Sequence, residues 1–287
     1  MKCTAAVVFF MFIMSSVSSQ RMHVGVFGGL SAYNGDLVDK YFPKKLTNGA
    51  IGVTVNYELK DHIMLRGGFT YSVVGGADRY SEKPDLLVRN LSFETSISEL
   101  SLMGEYYLNN LNERRYSPYV FAGLAVYHFN PYTYNGNNKV YLKPLSTEGE
   151  GLPGYPDRKP YSLTQLAVPI GGGFKFAITD NWHVGLELGL RKLFNDRLDD
   201  VSTAYVDPND LLAAKGQLAV DLSYRGDEVP GGSPTYPSKG YMRGNAKYND
   251  WYYFFGLHLT YRIGGGINST GAFSGKNKNY GCPKVPQ

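Results

Sequence analysis

The feature that most constrains this chain is an alternation of apolar and other side chains, which recurs in eight segments and is clearest in the last. From Trp251 to Ile263 every second residue is apolar, with aromatic residues at both ends of the run and aliphatic residues between them. Successive side chains of a β-strand point to opposite faces. A lipid-facing strand carries apolar residues on one face, with aromatic girdles at the two interfaces. The segment therefore predicts a membrane-spanning strand.

Seven earlier segments show a similar period of two, which predicts seven more strands. The fifth, near residues 119–129, is apolar on both faces, so the pattern does not assign its outer face. The seven segments start near Val24, Ile51, Ile63, Leu100, Tyr119, Leu166 and Trp182.

The connections between these segments alternate in length. Short turns lie at 60–61, 109–115 and 179–181, whereas the connections near 34–46, 75–92, 130–160 and 195–249 are long. Outer-membrane barrels have short periplasmic turns and long external loops. We therefore predict an all-β chain in which residues 20–263 form an eight-stranded antiparallel transmembrane β-barrel of the cell outer membrane, in contact with its lipid. The alternative is a soluble lipocalin-like barrel, which would be polar outside and apolar inside.

Both termini are predicted to lie outside the barrel domain. Residues 1–19 read as a signal peptide, with Lys2 before an apolar core and small residues before Gln20. A membrane anchor is the alternative, but the apolar run is short for one. Residues 264–287 are predicted to form a periplasmic tail whose Cys282 is the one cysteine of the mature chain. This thiol could form an intermolecular disulfide or stay reduced against the barrel rim.

The inward-facing positions of the predicted strands include four acids and four bases. An eight-stranded barrel has room for little more than side chains, and an unpaired buried charge is costly. We therefore predict a sealed lumen with paired charges rather than a diffusion pore. The eight residues are Glu58, Glu99, Glu105 and Glu187 with Arg66, Lys175, Arg191 and Arg262.

Composition and motifs argue against several other classes of function. The net charge is only +4 and the basic residues are scattered, whereas a nucleic-acid partner would require a clustered basic face. His128 and His258 are the histidines best placed for catalysis, but neither has a nucleophile motif beside it. We therefore predict no catalytic residues, no cofactor and no enzymatic activity.

An Asp-rich run at 195–200, followed by Asp207 and Asp210, could bind a hard cation through oxygen ligands. It lacks the fixed spacing of a calcium loop. Asp207 followed by Pro208 is typical of a helix N-cap, and it predicts a short helix at 211–220. The sequence therefore favours loop capping, and no metal site is predicted.

Five short stretches together resemble the PorG-like outer-membrane barrels of the type IX secretion system. They are the region of Gly29 to Leu37, the runs 191–202, 243–245 and 249–253, and Cys282-Pro283-Lys284. The resemblance spans the mature chain. It implies a barrel associated with the periplasmic ring of PorK and PorN, which it helps to seat beneath the outer membrane for protein secretion and, in some bacteria, gliding motility.

The tail composition and its predicted periplasmic position favour a docking segment at 275–287, in which Cys282, Pro283 and Lys284 bind a partner. The resemblance implies a ring subunit as the disulfide partner of Cys282. Two other classes of function stay open at this point. One is a stand-alone OmpA- or OmpW-like structural barrel or small-solute channel, and the other is an outer-membrane lipid hydrolase.

Overall fold

The computed structural model of the chain describes residues 22–38 and 46–263. These residues form one nine-stranded antiparallel sheet in the order β4-β3-β2-β1-β9-β8-β7-β5-β6. The strands are β1 Met22–Asn34, β2 Asn48–Lys60, β3 Ile63–Ala77, β4 Ser92–Tyr107, β5 Tyr116–Asn135, β6 Asn138–Tyr141, β7 Thr164–Ala177, β8 Trp182–Leu193 and β9 Trp251–Ile263.

The sheet closes on itself because β4 also pairs with β5, while β1 pairs with both β2 and β9. Eight strands therefore form a closed barrel, as the alternation predicted. The ninth, β6, pairs only with the outer end of β5 and extends it as a hairpin above the barrel. The sequence pattern did not separate this hairpin from the loop that contains it.

The outer face of the barrel is apolar and its inner face carries the charges, which excludes the soluble lipocalin-like alternative. Ile51, Leu102, Leu124 and Leu257 are each more than half exposed on the outer face. The same is true of Val120, so the structure assigns the face of the fifth strand that the pattern left open. A closed sheet with an apolar exterior leaves no backbone group unpaired in lipid. The chain is therefore built as a transmembrane β-barrel of the outer-membrane type.

The connections differ sharply between the two ends of the barrel. The inner end has the short turns 61–62, 108–115 and 178–181, and both β1 and β9 also meet there, with Met22 opposite Ile263. The outer end carries the four long connections. We call their described residues (35–38, 46–47, 78–91, 136–163 and 194–250) the cap. Among the described residues there is no candidate for a membrane-spanning helix.

Three short helices lie in the cap: α1 Pro84–Arg89, α2 Pro208–Lys215 and α3 Gln217–Ser223. Asp207 is the N-cap of α2, and its side chain accepts a hydrogen bond from the backbone N–H of Asn209 at 2.9 Å. The capping prediction is thus confirmed. The single helix expected at 211–220 is wrong, because Gly216 has a φ of +85° and separates α2 from α3.

Two apolar clusters fill the barrel from its two ends. The larger lies at the outer end and continues into the cap, with Tyr33, Phe93, Phe129 and Leu198 among its fully or nearly buried members. The smaller lies near the inner end, where Leu111 of the turn 108–115 packs with residues of β3 to β5. Charged side chains lie in the lumen beside both clusters, and they form the first candidate site.

Candidate functional site

The central part of the lumen is an ion network around the fully buried Arg66 of β3. Its Nε lies 2.9 Å from Glu105 Oε1, and its Nη1 lies 2.5 Å from Glu187 Oε2. The Lys175 Nζ is 3.9 Å from Glu105 Oε2, so two bases share two acids. Four strands contribute to this network, because inward-facing positions at one height of the barrel converge on its axis.

Tyrosine hydroxyls complete the central network. Tyr107 donates to Glu105 at 2.6 Å, and Tyr119 donates to Glu187 at 2.7 Å. The Lys175 ammonium donates to the Tyr107 hydroxyl at 2.5 Å. The sequence analysis missed these phenols. The alternation could have identified Tyr107 as an inward residue of β4, but not Tyr119, because the fifth strand is apolar on both faces.

A second ion pair lies toward the outer end of the lumen. Arg191 of β8 donates from Nε and Nη2 to the two carboxylate oxygens of Glu99, at 3.1 and 3.2 Å. Tyr252 donates to the same carboxylate at 2.7 Å, and the Arg191 guanidinium stacks 4.2 Å from the centre of the Phe254 ring. The geometry is bidentate, which is the strong arrangement for arginine and a carboxylate.

A third pair closes the inner end. Arg262 Nη2 donates to Glu58 at 2.9 Å and to the Asn112 side chain at 2.8 Å. Asn112 belongs to the turn 108–115 and donates in turn to Glu58 at 3.3 Å. The inner turn is thereby tied across the mouth of the barrel.

All eight charged residues named from the sequence therefore face inward and form ion pairs. Two cavities beside this network have volumes of only about 10 Å³ each. That volume corresponds to about one water molecule. Chemically, the arrangement can brace the barrel and exclude a continuous water path.

The two histidines considered for catalysis lie on opposite faces of the barrel wall. His258 lies inside the barrel, with its ring centre 5.1 Å from that of Phe27, and its Nδ1 makes no hydrogen bond to a described residue. His128 lies on the outer face, where its Nδ1 is 3.0 Å from the Thr164 hydroxyl.

The cap contains a second polar network, which is centred on the fully buried Glu148. This carboxylate accepts hydrogen bonds from the backbone N–H groups of Ser202 and Thr203, both at 2.9 Å. It also accepts from Arg197 at 2.9 Å and from Arg243 at 3.1 Å. Burial alone would raise the pKa of Glu148, but the two arginines and these donors hold it below its usual value. The residue is therefore ionised and joins the third long connection to the fourth.

Arg89 of α1 joins the first two long connections to the fourth. It makes a bidentate pair with Asp78 at 2.7 Å for each bond. It also donates to the backbone carbonyl of Asp36 at 3.0 Å and to that of Arg243. The long connections of the cap are thus tied together by the buried Arg243 and the mostly buried Arg89 and Arg197.

Four of the five stretches that carried the family resemblance converge in or beside this cap, although they are far apart in sequence. Tyr33 at the end of β1 contacts Asp199 and Asp250, and the Asn245 backbone N–H donates to Asp36 at 2.7 Å. The sequence analysis did not identify Glu148, Arg89 or Asp78, because no local pattern marks them. The predicted partner-binding residues Cys282, Pro283 and Lys284 lie outside the described residues, as does the predicted signal peptide.

Comparison with solved structures gives distant likenesses, three of which follow. Neisserial surface protein A has 9% identity and a TM-score of 0.44, over 84% of this chain and 97% of that one. The outer membrane protein W of E. coli has 13% identity and a TM-score of 0.35, over 86% and 100%. Ail, the attachment invasion locus protein of Yersinia pestis, has 9% identity and a TM-score of 0.39, over 85% and 99%. The fold assignment therefore depends on the strand pairing above.

Comparison of sequences assigns the chain to a family. No curated protein matches the chain. One family model matches residues 2–213, which include the first seven barrel strands and part of the fourth long connection. The chain therefore belongs to the family described as a domain of unknown function, DUF6089.

Proposed function

We propose that this barrel is a non-enzymatic anchor that seats a periplasmic ring of PorK and PorN type beneath the outer membrane, in type IX protein secretion and, in some bacteria, gliding motility. The proposal starts from the resemblance of the stretches at 29–37, 191–202, 243–245 and 249–253 to PorG-like barrels. The observation that carries it is the ion-paired lumen, which suits a barrel that holds a partner better than one that conducts a solute.

The inner end of the barrel supports this proposal. Asn112 and Leu111 hold the longest inner turn against the mouth of the lumen. Strand β9 ends at Ile263 on the same face, opposite Met22. In this proposal the tail that follows Ile263 starts in the periplasm, where a tethered segment has a high effective concentration for a nearby partner.

In this proposal the tail residues Cys282, Pro283 and Lys284 contact a ring subunit. Cys282 would form the intermolecular disulfide in an oxidising compartment. The test is co-purification from gently solubilised envelopes at native abundance, with non-reducing electrophoresis of wild type and Cys282→Ser. A higher-mass band found only in the wild type supports the disulfide. Ring proteins recovered with both forms, without that band, would remove the covalent link and keep the anchor.

Deletion of residues 275–287 separates two contact sites. Loss of the ring proteins from the purified barrel supports the tail as the docking segment. Normal association would move the contact to the inner turns. Recovery of the wild-type barrel alone would overturn the anchoring proposal.

The second candidate is a stand-alone structural barrel of OmpA or OmpW type, which the braced lumen and folded cap also favour. Planar-bilayer recordings distinguish this structural barrel from a small-solute channel. We expect no stable conductance, because Arg66, Arg191 and Arg262 are each paired with lumen acids. Reproducible ion-selective conductance would support the channel instead.

A further inference from the structure

A cleft of about 620 Å³ opens in the cap above the outer ends of β2 to β5. Each of the four long connections contributes to its walls, with Leu46 from the first, Arg79 from the second, Gly136 from the third and Arg225 from the fourth. Small-molecule sites in proteins are clefts of roughly 300–1,000 Å³. The cleft therefore has the size of a ligand site, whereas the two lumen cavities each have room for about one water molecule.

The walls of this cleft are held in place by the side chain of Arg225. Its Nε and Nη2 form a bidentate pair with the Glu228 carboxylate, at 2.9 Å for each bond. Its Nη1 donates to the backbone carbonyl of Tyr134 at 3.2 Å, and the Asn90 side chain donates to the Arg225 carbonyl at 3.1 Å. The fourth connection is thereby joined to the end of β5 and to the second connection. A cleft fixed in this way is preformed, as ligand sites usually are.

The charges of the cleft balance. The described residues of its walls include two bases and two acids, which are Arg79, Arg225, Glu94 and Glu228. Arg225 and Glu228 neutralise each other, and Glu94 accepts a hydrogen bond from the Tyr132 hydroxyl at 2.8 Å. The Arg79 guanidinium lies 5.0 Å from the centre of the Tyr80 ring. A multiply charged ligand would require an excess of the opposite charge on the walls. The lining therefore favours a ligand that is neutral overall.

Other polar side chains of the walls are uncharged and can each donate and accept hydrogen bonds. Asn48 and Asn135 contribute carboxamides, and Ser92 contributes a hydroxyl. A carboxamide has an N–H₂ donor and an acceptor oxygen, and a hydroxyl has one donor and two lone pairs. The hydroxyls of a sugar likewise donate and accept. These side chains therefore complement a ligand that carries many hydroxyl groups.

Tyrosine rings give the cleft flat apolar surfaces. Tyr80 and Tyr134 both line it, and they are 38% and 46% exposed. The Tyr134 ring packs edge-on against that of Tyr132, with the ring centres 5.9 Å apart, so its position is supported. A tyrosine combines an apolar ring with a polar hydroxyl. A sugar ring has the matching combination, because its C–H groups lie on its faces and its hydroxyls lie at its edge.

We propose that this cleft binds a short neutral oligosaccharide, with the Tyr134 ring against one sugar face and the polar side chains on the hydroxyls. The volume is larger than a single sugar ring needs, so a chain of sugars fits better than a monosaccharide. A free oligosaccharide and the headgroup of a glycolipid in the outer leaflet share this chemistry. The cleft lies at the opposite end of the barrel from the inner turns, so the site is independent of the function proposed above.

The test measures binding of the full-length protein to an array of neutral oligosaccharides of glucose, mannose, galactose and N-acetylglucosamine, with sulfated and phosphorylated oligosaccharides beside them. The protein is kept in dodecylphosphocholine, because a detergent with a sugar headgroup would compete for the cleft. We expect binding to neutral members, and calorimetry gives the affinity of the strongest. Tyr134→Ala should weaken this binding by about fivefold to tenfold, because it removes the aromatic surface. The substitution keeps the backbone carbonyl that Arg225 contacts.

The matched control is Tyr141→Ala on the same hairpin. Tyr141 is 44% exposed and also packs against Tyr132, with ring centres 6.1 Å apart, but it is outside the described lining of the cleft. This variant should bind as the wild type does. Arg79→Gln should lower the affinity by no more than about threefold, because a neutral ligand forms no ion pair with the guanidinium. A much larger loss would contradict a neutral ligand.

A second arm presents the same neutral glycans as glycolipid headgroups in nanodiscs. Binding of the free oligosaccharide indicates a soluble source, and binding of the glycolipid alone indicates a membrane source. Either result supports the cleft if Tyr134→Ala weakens it and Tyr141→Ala does not. The proposal would be overturned by the absence of neutral-glycan binding in both arms, by binding of sulfated or phosphorylated glycans alone, or by equal binding of Tyr134→Ala and the wild type.

Discussion

The lumen and the cap solve the problem of buried charge in different ways. In the lumen, four acids meet four bases, and tyrosines fill the remaining positions around Glu105, Glu187 and Glu99. In the cap, one half is similarly balanced around Glu148, whereas Asp199 and Asp250 share the Tyr33 hydroxyl and form no ion pair with a described residue. The lumen balances its charges with side chains of opposite sign. Around Tyr33, burial instead raises the pKa of Asp199 and Asp250, which favours the neutral carboxyl.

The largest effect is expected from breaking the central lumen network with Arg66→Met. The change leaves Glu105 and Glu187 without their main partner inside the barrel. We expect a loss of about 3–5 kcal/mol in the free energy of unfolding, as for a broken buried ion pair. Urea unfolding in micelles measures it, with the exposed Arg114→Gln as control. An unchanged midpoint would show that the lumen tolerates an unpaired acid as the cap does.

The counterpart in the cap is Glu148→Ala, which leaves Arg243 buried without its carboxylate. We expect about 2–4 kcal/mol of local destabilisation, with the barrel still folded. Hydrogen exchange should therefore rise in the segments 147–150 and 200–203, while the urea midpoint of the barrel stays the same. The control is Glu228→Gln, which changes an exposed carboxylate that pairs with Arg225 in the fourth long connection. Joint loss of barrel and cap would mean that the two regions unfold as one unit.

A smaller effect is expected for Arg262→Ala at the inner mouth. The Arg262 and Glu58 side chains are 20% and 12% exposed, so water can partly solvate the remaining acid. The predicted loss is about 1–2 kcal/mol after allowance for this solvation. Urea unfolding against Lys60→Ala, exposed at the same end, checks it. A loss as large as that of Arg66→Met would indicate that Arg262 and Glu58 are as poorly solvated as the central network.

The smallest effect concerns pH and Glu150 in the cap. Burial, Asp200 and Glu148 raise its pKa to about 7 in the folded state, from an ordinary 4.5. A raised carboxyl pKa means that the stabilising contribution of the neutral form is complete below pH 4.5 and is lost as the pH rises to 7.

Glu150→Gln should therefore protect the cap at pH 8 relative to wild type and do little at pH 4.5. We expect the free energy of local opening to rise by about 1 kcal/mol, since one pKa unit is about 1.4 kcal/mol. The substitution also weakens the contact with Arg197, which offsets part of this gain. Hydrogen exchange of residues 147–150 at the two pH values measures it. Equal protection of the wild type and Glu150→Gln at pH 8 would contradict the raised pKa of Glu150.

Sequence alone predicted the barrel well, because alternation is a local property of each strand. Apolar side chains face the lipid and charged side chains face the lumen, so both faces contribute to the same pattern. It failed to orient the fifth strand, because Tyr119, Phe121 and Tyr127 line the lumen and make both faces apolar. It could not find the cap network, since Glu148 meets Ser202 and Arg243 across 54 and 95 residues. Such contacts leave no periodic trace. The Asp-rich run was visible, but Asp36 and Asp250 join it only through the fold.

The seam between β1 and β9 has a consequence for the kinetics of folding. It joins residues that are between 217 and 241 positions apart, from Asn34 with Trp251 to Met22 with Ile263. Every other barrel strand pairs with its neighbour in sequence, apart from the step across β6. Pairings of high sequence separation form slowly, although their closure entropy grows only with the logarithm of length. At this seam Gly29 faces Gly256, and a β-carbon at either would lie within 2.6 Å of the opposite backbone. Until the seam forms, both strands are open edges that can pair wrongly, so its rate sets how long the nascent barrel is open to aggregation.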